Sequence, residues 1–295
     1  MIILRKKLNE GTGFLIMIIF IMLCFNSLAT SNDCGTPIIS YKTNKLHFPW
    51  IAEIYSSINK TKDGNFQHLC GSSIISSSFS ITAAHCIQEK HSTYRRASHA
   101  IFLIANVLDL KDLSDTININ IKEVITHPDW NPEIKKFDGD IALLNFKEPI
   151  TFDNKISPIC LWNGTDQIQS TKTGIIITFI ALEEDDPGYY NYEHNLPNNY
   201  PKEYNMPIRN SCIETQKRFT SIASNNTFCA GGFNSGPCLE TGSSGSSIAV
   251  EYNQTYYLRG IVSASFIDFA GCDNYTFTLF TDVLKYQDWI TKIIN

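Results

Sequence analysis

Basic charge is scarce in this sequence. Lys and Arg total 24 against 29 Asp and Glu, a formal charge of −5. No basic stripe follows any segment, which excludes the phosphate-tracking surface that a nucleic-acid partner needs. Long apolar runs are scarce as well. The run at 14–25 has 12 residues, short of the roughly 20 that a bilayer-spanning helix requires. No C-x-x-C or comparable ligand spacing occurs, so no metal and no other cofactor is expected. Internal repeats are absent. The acidic run at 183–186 reads as a solvated loop rather than a cation site.

The N-terminus is patterned for export. Arg5, Lys6 and Lys7 precede the apolar run, and Ser27-Leu28-Ala29 offers a small-x-small cleavage site, so residues 1–29 are expected to be a signal peptide. Their removal takes away three bases and Glu10 and moves the formal charge from −5 to −7. The mature chain is then expected to be extracellular, free of membrane and monomeric. Cys24 leaves with the signal, and eight cysteines remain: Cys34, Cys70, Cys86, Cys160, Cys212, Cys229, Cys238 and Cys272. An even number in an exported chain implies disulfides, although spacing alone leaves the connectivity open. Sequons at Asn59, Asn163, Asn225, Asn253 and Asn274 suit the same compartment.

Short runs rich in Ile, Val, Phe, Thr and Tyr dominate the remainder. Strands are expected at 70–82, 100–108, 117–125, 140–146, 174–180, 246–251, 256–265 and 277–281. Turn residues punctuate them, a rhythm that argues for barrels or sandwiches. One helix is expected at the C-terminus, where Tyr286, Trp289, Ile290 and Ile293 share a face behind Asp282 as N-cap. Residues 182–207 read as a long irregular loop rich in Tyr, Asn, Pro and acids.

Three local patterns carry chemistry. In Thr82-Ala83-Ala84-His85-Cys86, a histidine stands beside a cysteine at the end of an apolar strand. A histidine held in that way meets the fixed distances that proton transfer demands. In Asp138-Gly139-Asp140-Ile141-Ala142-Leu143-Leu144, an acid enters the core ahead of a strand and needs a polar partner such as an imidazole N–H. In Gly242-Ser243-Ser244-Gly245, a serine sits between small residues, where backbone N–H groups can approach a substrate carbonyl.

Together these patterns resemble the chymotrypsin/trypsin-type serine proteases, and the resemblance extends from Cys34 to the C-terminus. Phe48-Pro49-Trp50, Cys70-Gly71, Pro158-Ile159-Cys160, Phe228-Cys229-Ala230-Gly231 and Gly260-Ile261-Val262-Ser263 fall where that family has landmarks. The resemblance implies an all-β fold of two six-stranded antiparallel β-barrels with a C-terminal α-helix. It places a short segment at 30–45 and the peptidase-like domain at 46–295. Within that domain, barrels are expected at about 46–158 and 171–282, with the helix at 283–293. It also implies the disulfides Cys34 with Cys160, Cys70 with Cys86, Cys212 with Cys229, and Cys238 with Cys272. Carried over by position, Ser244 is the nucleophile, His85 the general base and Asp140 its orienting acid. The N–H groups of Gly242 and Ser244 form the oxyanion hole. Gly236, Ser263, Ala264, Ser265 and Thr278 line the substrate pocket.

The sequence also departs from the family pattern. Ser243 stands where the family has the aspartate that pairs with a freed α-amino group, and no Arg or Lys precedes Ile38-Ile39. Gly236 replaces a pocket-base acid, and Thr278 replaces a glycine. Two functions follow. One is a secreted serine endopeptidase acting on a protein or peptide substrate. The other is a catalytically impaired homologue that engages a protein partner as a binding or regulatory module.

Overall fold

Polar and apolar residues alternate in the stretch Ile117-Asn118-Ile119-Asn120-Ile121, and the chain buries Ile119 and Ile121 while both asparagines face solvent. That period of two builds most of the molecule. The computed structural model describes residues 34–39, 46–60, 66–89, 91–106, 114–162, 170–178, 201–209, 211–212, 217–232, 239, 242–265 and 277–295. The expected signal peptide lies outside these residues. So do Gly236, Cys238, Cys272, Asn163 and Asn274.

A short hairpin opens the described chain, with β1 (Ile38–Ile39) antiparallel to β2 (Leu46–His47). Six strands then close a first barrel. They are β3 (Ile51–Lys60), β4 (Phe66–Ile74), β5 (Phe79–Thr82), β6 (Ile101–Ala105), β7 (Ile117–Thr126) and β8 (Ala142–Phe146). Their order around the barrel is β3-β4-β5-β8-β7-β6. A second barrel runs β10-β11-β14-β13-β12-β9. Its strands are β9 (Thr173–Thr178), β10 (Lys202–Arg209), β11 (Thr227–Gly231), β12 (Ser247–Tyr252), β13 (Thr255–Ser265) and β14 (Phe277–Asp282). Closure leaves neither sheet with a free edge. This is a chymotrypsin-like fold.

Trp50, Ile54, Ile74, Ile81 and Leu103 fill the first barrel, and Phe228, Phe280, Ile248 and Val262 the second. Each such side chain contributes about 1.5–3 kcal/mol by leaving water. The second barrel also buries the ion pair Arg259–Asp282. The Arg259 guanidinium lies 4.2 Å from the centroid of the Phe228 ring, so this charge is matched by an acid and an aromatic face.

The chain departs from the sequence expectations at three places. Residues 70–82 do not form one strand: Ser76, Ser77 and Ser78 turn the chain between β4 and β5, where the Ser78 N–H donates to Ser76 Oγ at 3.3 Å. Serine hydroxyls compete with the ladder for backbone partners, which explains the break. The expected loop at 182–207 ends in a strand, because Lys202–Arg209 pairs with β9 despite Pro207. The strands β3 and β11 lack a clean alternation and owe their conformation to pairing on both sides.

The C-terminal helix forms as expected, though its first turn is 3₁₀ over Val283–Tyr286 before α1 (Gln287–Ile294). Asp282 caps it by accepting from the Leu284 N–H at 3.1 Å. Tyr286 and Trp289 set their rings edge-on to His127, at 4.8 and 4.9 Å, so this helix lies against the first barrel.

Among the described residues, three disulfides join Cys34 to Cys160, Cys70 to Cys86, and Cys212 to Cys229. Beside the first of them, the Gly35 N–H donates to the Pro158 carbonyl and the Gly35 carbonyl accepts from the Tyr256 N–H, both at 2.8 Å. Among the described residues no helix is long and apolar enough to cross a membrane.

Candidate active site

β5 ends at Thr82, and a 3₁₀ turn over Ala84–Cys86 follows immediately. The turn presents His85, and the disulfide from Cys86 to Cys70 anchors it to β4. Beside the turn, Asp140 precedes β8, the strand paired with β5, and is fully buried. The two residues meet twice. The His85 backbone N–H donates to Asp140 Oδ1 at 2.9 Å, and His85 Nδ1 lies 2.8 Å from Oδ2. A carboxylate only accepts, so Nδ1 carries the proton and Nε2 is left as the basic nitrogen.

The second barrel supplies a third donor to the same carboxylate. Ser263 Oγ donates to Asp140 Oδ2 at 2.5 Å. The β13–β14 register shifts between Val262 and Ala264, leaving Ser263 as the bulged residue, free of the ladder and turned toward the acid. Thr281 Oγ1 on β14 donates to the Asp140 carbonyl at 2.9 Å. Next to the acid, the Gly139 N–H donates to Tyr286 Oη at 2.8 Å. Asp138 accepts from Ser224 Oγ and from Asn226 Nδ2. The acid segment is therefore tied to the second barrel and the C-terminal helix at several points.

Ser244 lies in the turn that leads into β12. Its carbonyl accepts from the Gly71 N–H of β4 at 2.8 Å, so the serine loop is docked against the first barrel. The Gly245 N–H donates to the Val262 carbonyl at 3.0 Å, and Ser247 Oγ meets Ser73 Oγ at 2.8 Å. Gly245 has φ +81°, and a Cβ there would lie 2.3 Å from Thr82 Oγ1. Glycine is required at this point. Ser243 is fully buried and accepts from Thr178 Oγ1 at 3.3 Å. His85, Asp140 and the Ser244 loop thus converge where the two barrels meet, although each comes from a different stretch of chain.

Of the expected pocket residues, Ser263, Ala264 and Ser265 lie at the end of β13, and Thr278 lies on β14. Ser265 Oγ and Thr278 Oγ1 are hydrogen-bonded at 3.0 Å. Gly236 is outside the described residues. The Ser263 hydroxyl is engaged with Asp140, a contact that the sequence reading missed; the visible signal was one polar residue ending the apolar run Gly260-Ile261-Val262. Cys70, His85 and Cys86 bring potential ligand atoms within 4.8 Å of one another, but both sulfurs are oxidised in the disulfide and neither can act as a thiolate. Asn225 and Asn253 are exposed. Asn253 has φ 51° and Gln254 φ 64°, the geometry of a tight hairpin turn between β12 and β13. Asn59 lies on β3.

Two closed barrels with an aspartate-held histidine and a serine loop between them define the serine-protease class. The chain belongs to the trypsin family, whose family model, Trypsin, matches residues 38–290. Serine protease gd of Drosophila melanogaster is 28% identical over 273 residues, covering 84% of this chain and 51% of that protein. Phenoloxidase-activating factor 1 of Holotrichia diomphalia is 27% identical over 278 residues, with coverage of 88% and 72%. Vitamin K-dependent protein C of Mus musculus is 29% identical over 256 residues, with coverage of 84% and 49%. The chain therefore spans about half the length of the first and third of these relatives.

Proposed function

We propose that the chain is an exported serine endopeptidase that hydrolyses peptide bonds through an acyl-enzyme. Ser244 attacks the scissile carbonyl, His85 Nε2 accepts its proton and later delivers it to the leaving amine, and Asp140 stabilises the imidazolium. The N–H groups of Gly242 and Ser244 are assigned to the developing oxyanion, where loss of one donor typically costs about 10²–10³ in rate. The observation that carries this reading is the double contact of His85 with Asp140, at 2.9 and 2.8 Å, reinforced by Ser263. A buried carboxylate with three donors is an expensive arrangement for packing alone. Gly236, Ser263, Ala264, Ser265 and Thr278 are assigned to the substrate pocket. Residues 1–29 are assigned to the signal, 46–295 to the domain, and the five sequon asparagines to glycosylation.

A second reading, a secreted homologue that binds a protein without cleaving it, draws on the Ser265–Thr278 hydrogen bond. That bond links β13 to β14 between two of the assigned pocket residues. Labelling the secreted protein with a fluorophosphonate separates the two. A label that disappears in Ser244→Ala is expected. Its absence from both intact and proteolytically nicked protein would leave the binding module as the function.

A further inference from the structure

Beside the Arg259–Asp282 pair of the second barrel, the described residues hold a buried charge pair in the first barrel that the triad does not use. Glu53 on β3 is 3% exposed, and its Oε2 lies 2.6 Å from Nε2 of His68 on β4. Burial pushes the Glu53 carboxyl up, while the hydrogen bond and charge of His68 pull it back down. The neighbouring titratable group is Tyr55, edge-on to His68, whose hydroxyl is pushed up by burial and by the Glu53 charge. β6 sets Leu103, Ile104 and Ala105 against this part of β3, and residues 242–247 are all glycine or serine. Among the described residues these elements bring no further charge to the pair.

Its position is informative. The β3–β4 register shifts between Ile54 and Tyr55, so Ile54 faces Cys70, Tyr55 faces His68, and Leu69 is the extra residue. Such a bulge interrupts the ladder and bends the strand. The Glu53–His68 contact spans that interruption. Directly after it come Cys70 and Gly71, and both serve the catalytic groups. Cys70 is bonded to Cys86, next in the chain to His85. Gly71 faces Glu53 across the ladder and donates its N–H to the Ser244 carbonyl. The serine loop also packs tightly here, since a Cβ on Gly71 would come within 2.3 Å of Ser246 Oγ.

We propose that Glu53 and His68 are positioning residues: their buried contact clamps the β3–β4 bulge and so holds the His85 turn and the Ser244 loop in mutual register. The proposal rests on the triad reading given above. Loss of the clamp lets Cys70 and Gly71 shift against β3, and a misplacement of about 1 Å at a reacting centre can cost about 10²-fold in rate.

The test uses Glu53→Gln and the double variant Glu53→Leu/His68→Leu, which removes both polar ends and keeps apolar volume. Unfolding midpoints, the fluorophosphonate labelling rate against pH, and hydrogen exchange at the Gly71 amide are measured on the intact chain. Folded variants are expected to label about 10²-fold more slowly and to exchange Gly71 about tenfold faster. The acid limb of labelling is expected to differ in shape between the wild type, whose Glu53 carboxyl is raised by burial, and Glu53→Gln, which has no carboxyl there. In the wild type alone, Gly71 protection is expected to fall as acid titrates the pair. Wild-type rates and exchange in the double variant, or Gly71 protection that stays flat on acidification, would overturn the clamp. A wild type that never labels would overturn the triad reading alone, because the exchange measurements still report on the pair.

Discussion

Asp140 is fully buried and satisfied by three donors, two of them from His85. In the proposed mechanism its role depends on accepting at both oxygens. In Asp140→Asn one acceptor becomes an NH₂ donor, so the imidazole must turn its lone pair inward and leave the proton on Nε2. The base is then lost while the fold is kept. A fall in kcat of about 10⁴-fold, the loss typical of this change in a Ser-His-Asp triad, is expected with little change in the unfolding midpoint. Steady-state kinetics together with a thermal melt check it, and an equal loss of both activity and stability would mean the aspartate is chiefly a packing residue.

The serine loop depends on how closely β4, β5 and the residues before β12 approach one another. Gly245→Ala must place a Cβ against Thr82 Oγ1 with φ still at +81°, and a left-handed residue alone costs about 1–2 kcal/mol. The expected result is a folded protein with a lower midpoint and a labelling rate at Ser244 reduced at least about tenfold, since the strain falls next to the proposed nucleophile. Which features were legible follows from the same distinction between local and long-range contacts. The His85 and Asp140 motifs are contiguous and end on buried strands, so the sequence alone located them. The Ser263 contact needs a bulge in β13, and the bulge exists only through pairing with β14. The Glu53–His68 contact needs β3, whose mixed Ile-Ala-Glu-Ile-Tyr-Ser pattern has no clean period. Residues 202–207 looked like loop because proline and acids outweighed a pairing partner not yet in view.

Across the molecule, the buried ionisable groups set how stability follows pH. Burial lowers His47 and His127 more than the Lys155 carbonyl and Asp129 raise them. Both take up protons less readily in the fold than in the unfolded chain, so stability falls as pH drops below the ordinary histidine value near about 6.5 and the unfolded chain protonates. Glu53 works in the opposite sense, because burial raises its carboxyl. On the alkaline side, burial pushes Tyr286 up to about 12. The stability it contributes is intact below the unfolded tyrosine value near about 10 and is lost as pH climbs through the folded value, about 2–3 kcal/mol in all. Urea midpoints measured from about pH 5 to 12 should therefore decline at both ends. Tyr286→Phe is expected to lessen the alkaline decline, the remainder coming from Tyr55 and Tyr256, whose hydroxyls burial also raises, and an unchanged slope there would count against this assignment.

The bond from Cys34 to Cys160 has a topological consequence. It closes the backbone between them, sequence separation 126, into a covalent ring that contains the whole first barrel and both His85 and Asp140. One peptide-bond scission anywhere in that ring opens it without releasing a fragment. A nicked molecule would migrate as a single species on a non-reducing gel and separate into two only after thiol treatment. Ser244 lies outside the ring, so a cut between Cys160 and Ser244 is not bridged by this bond.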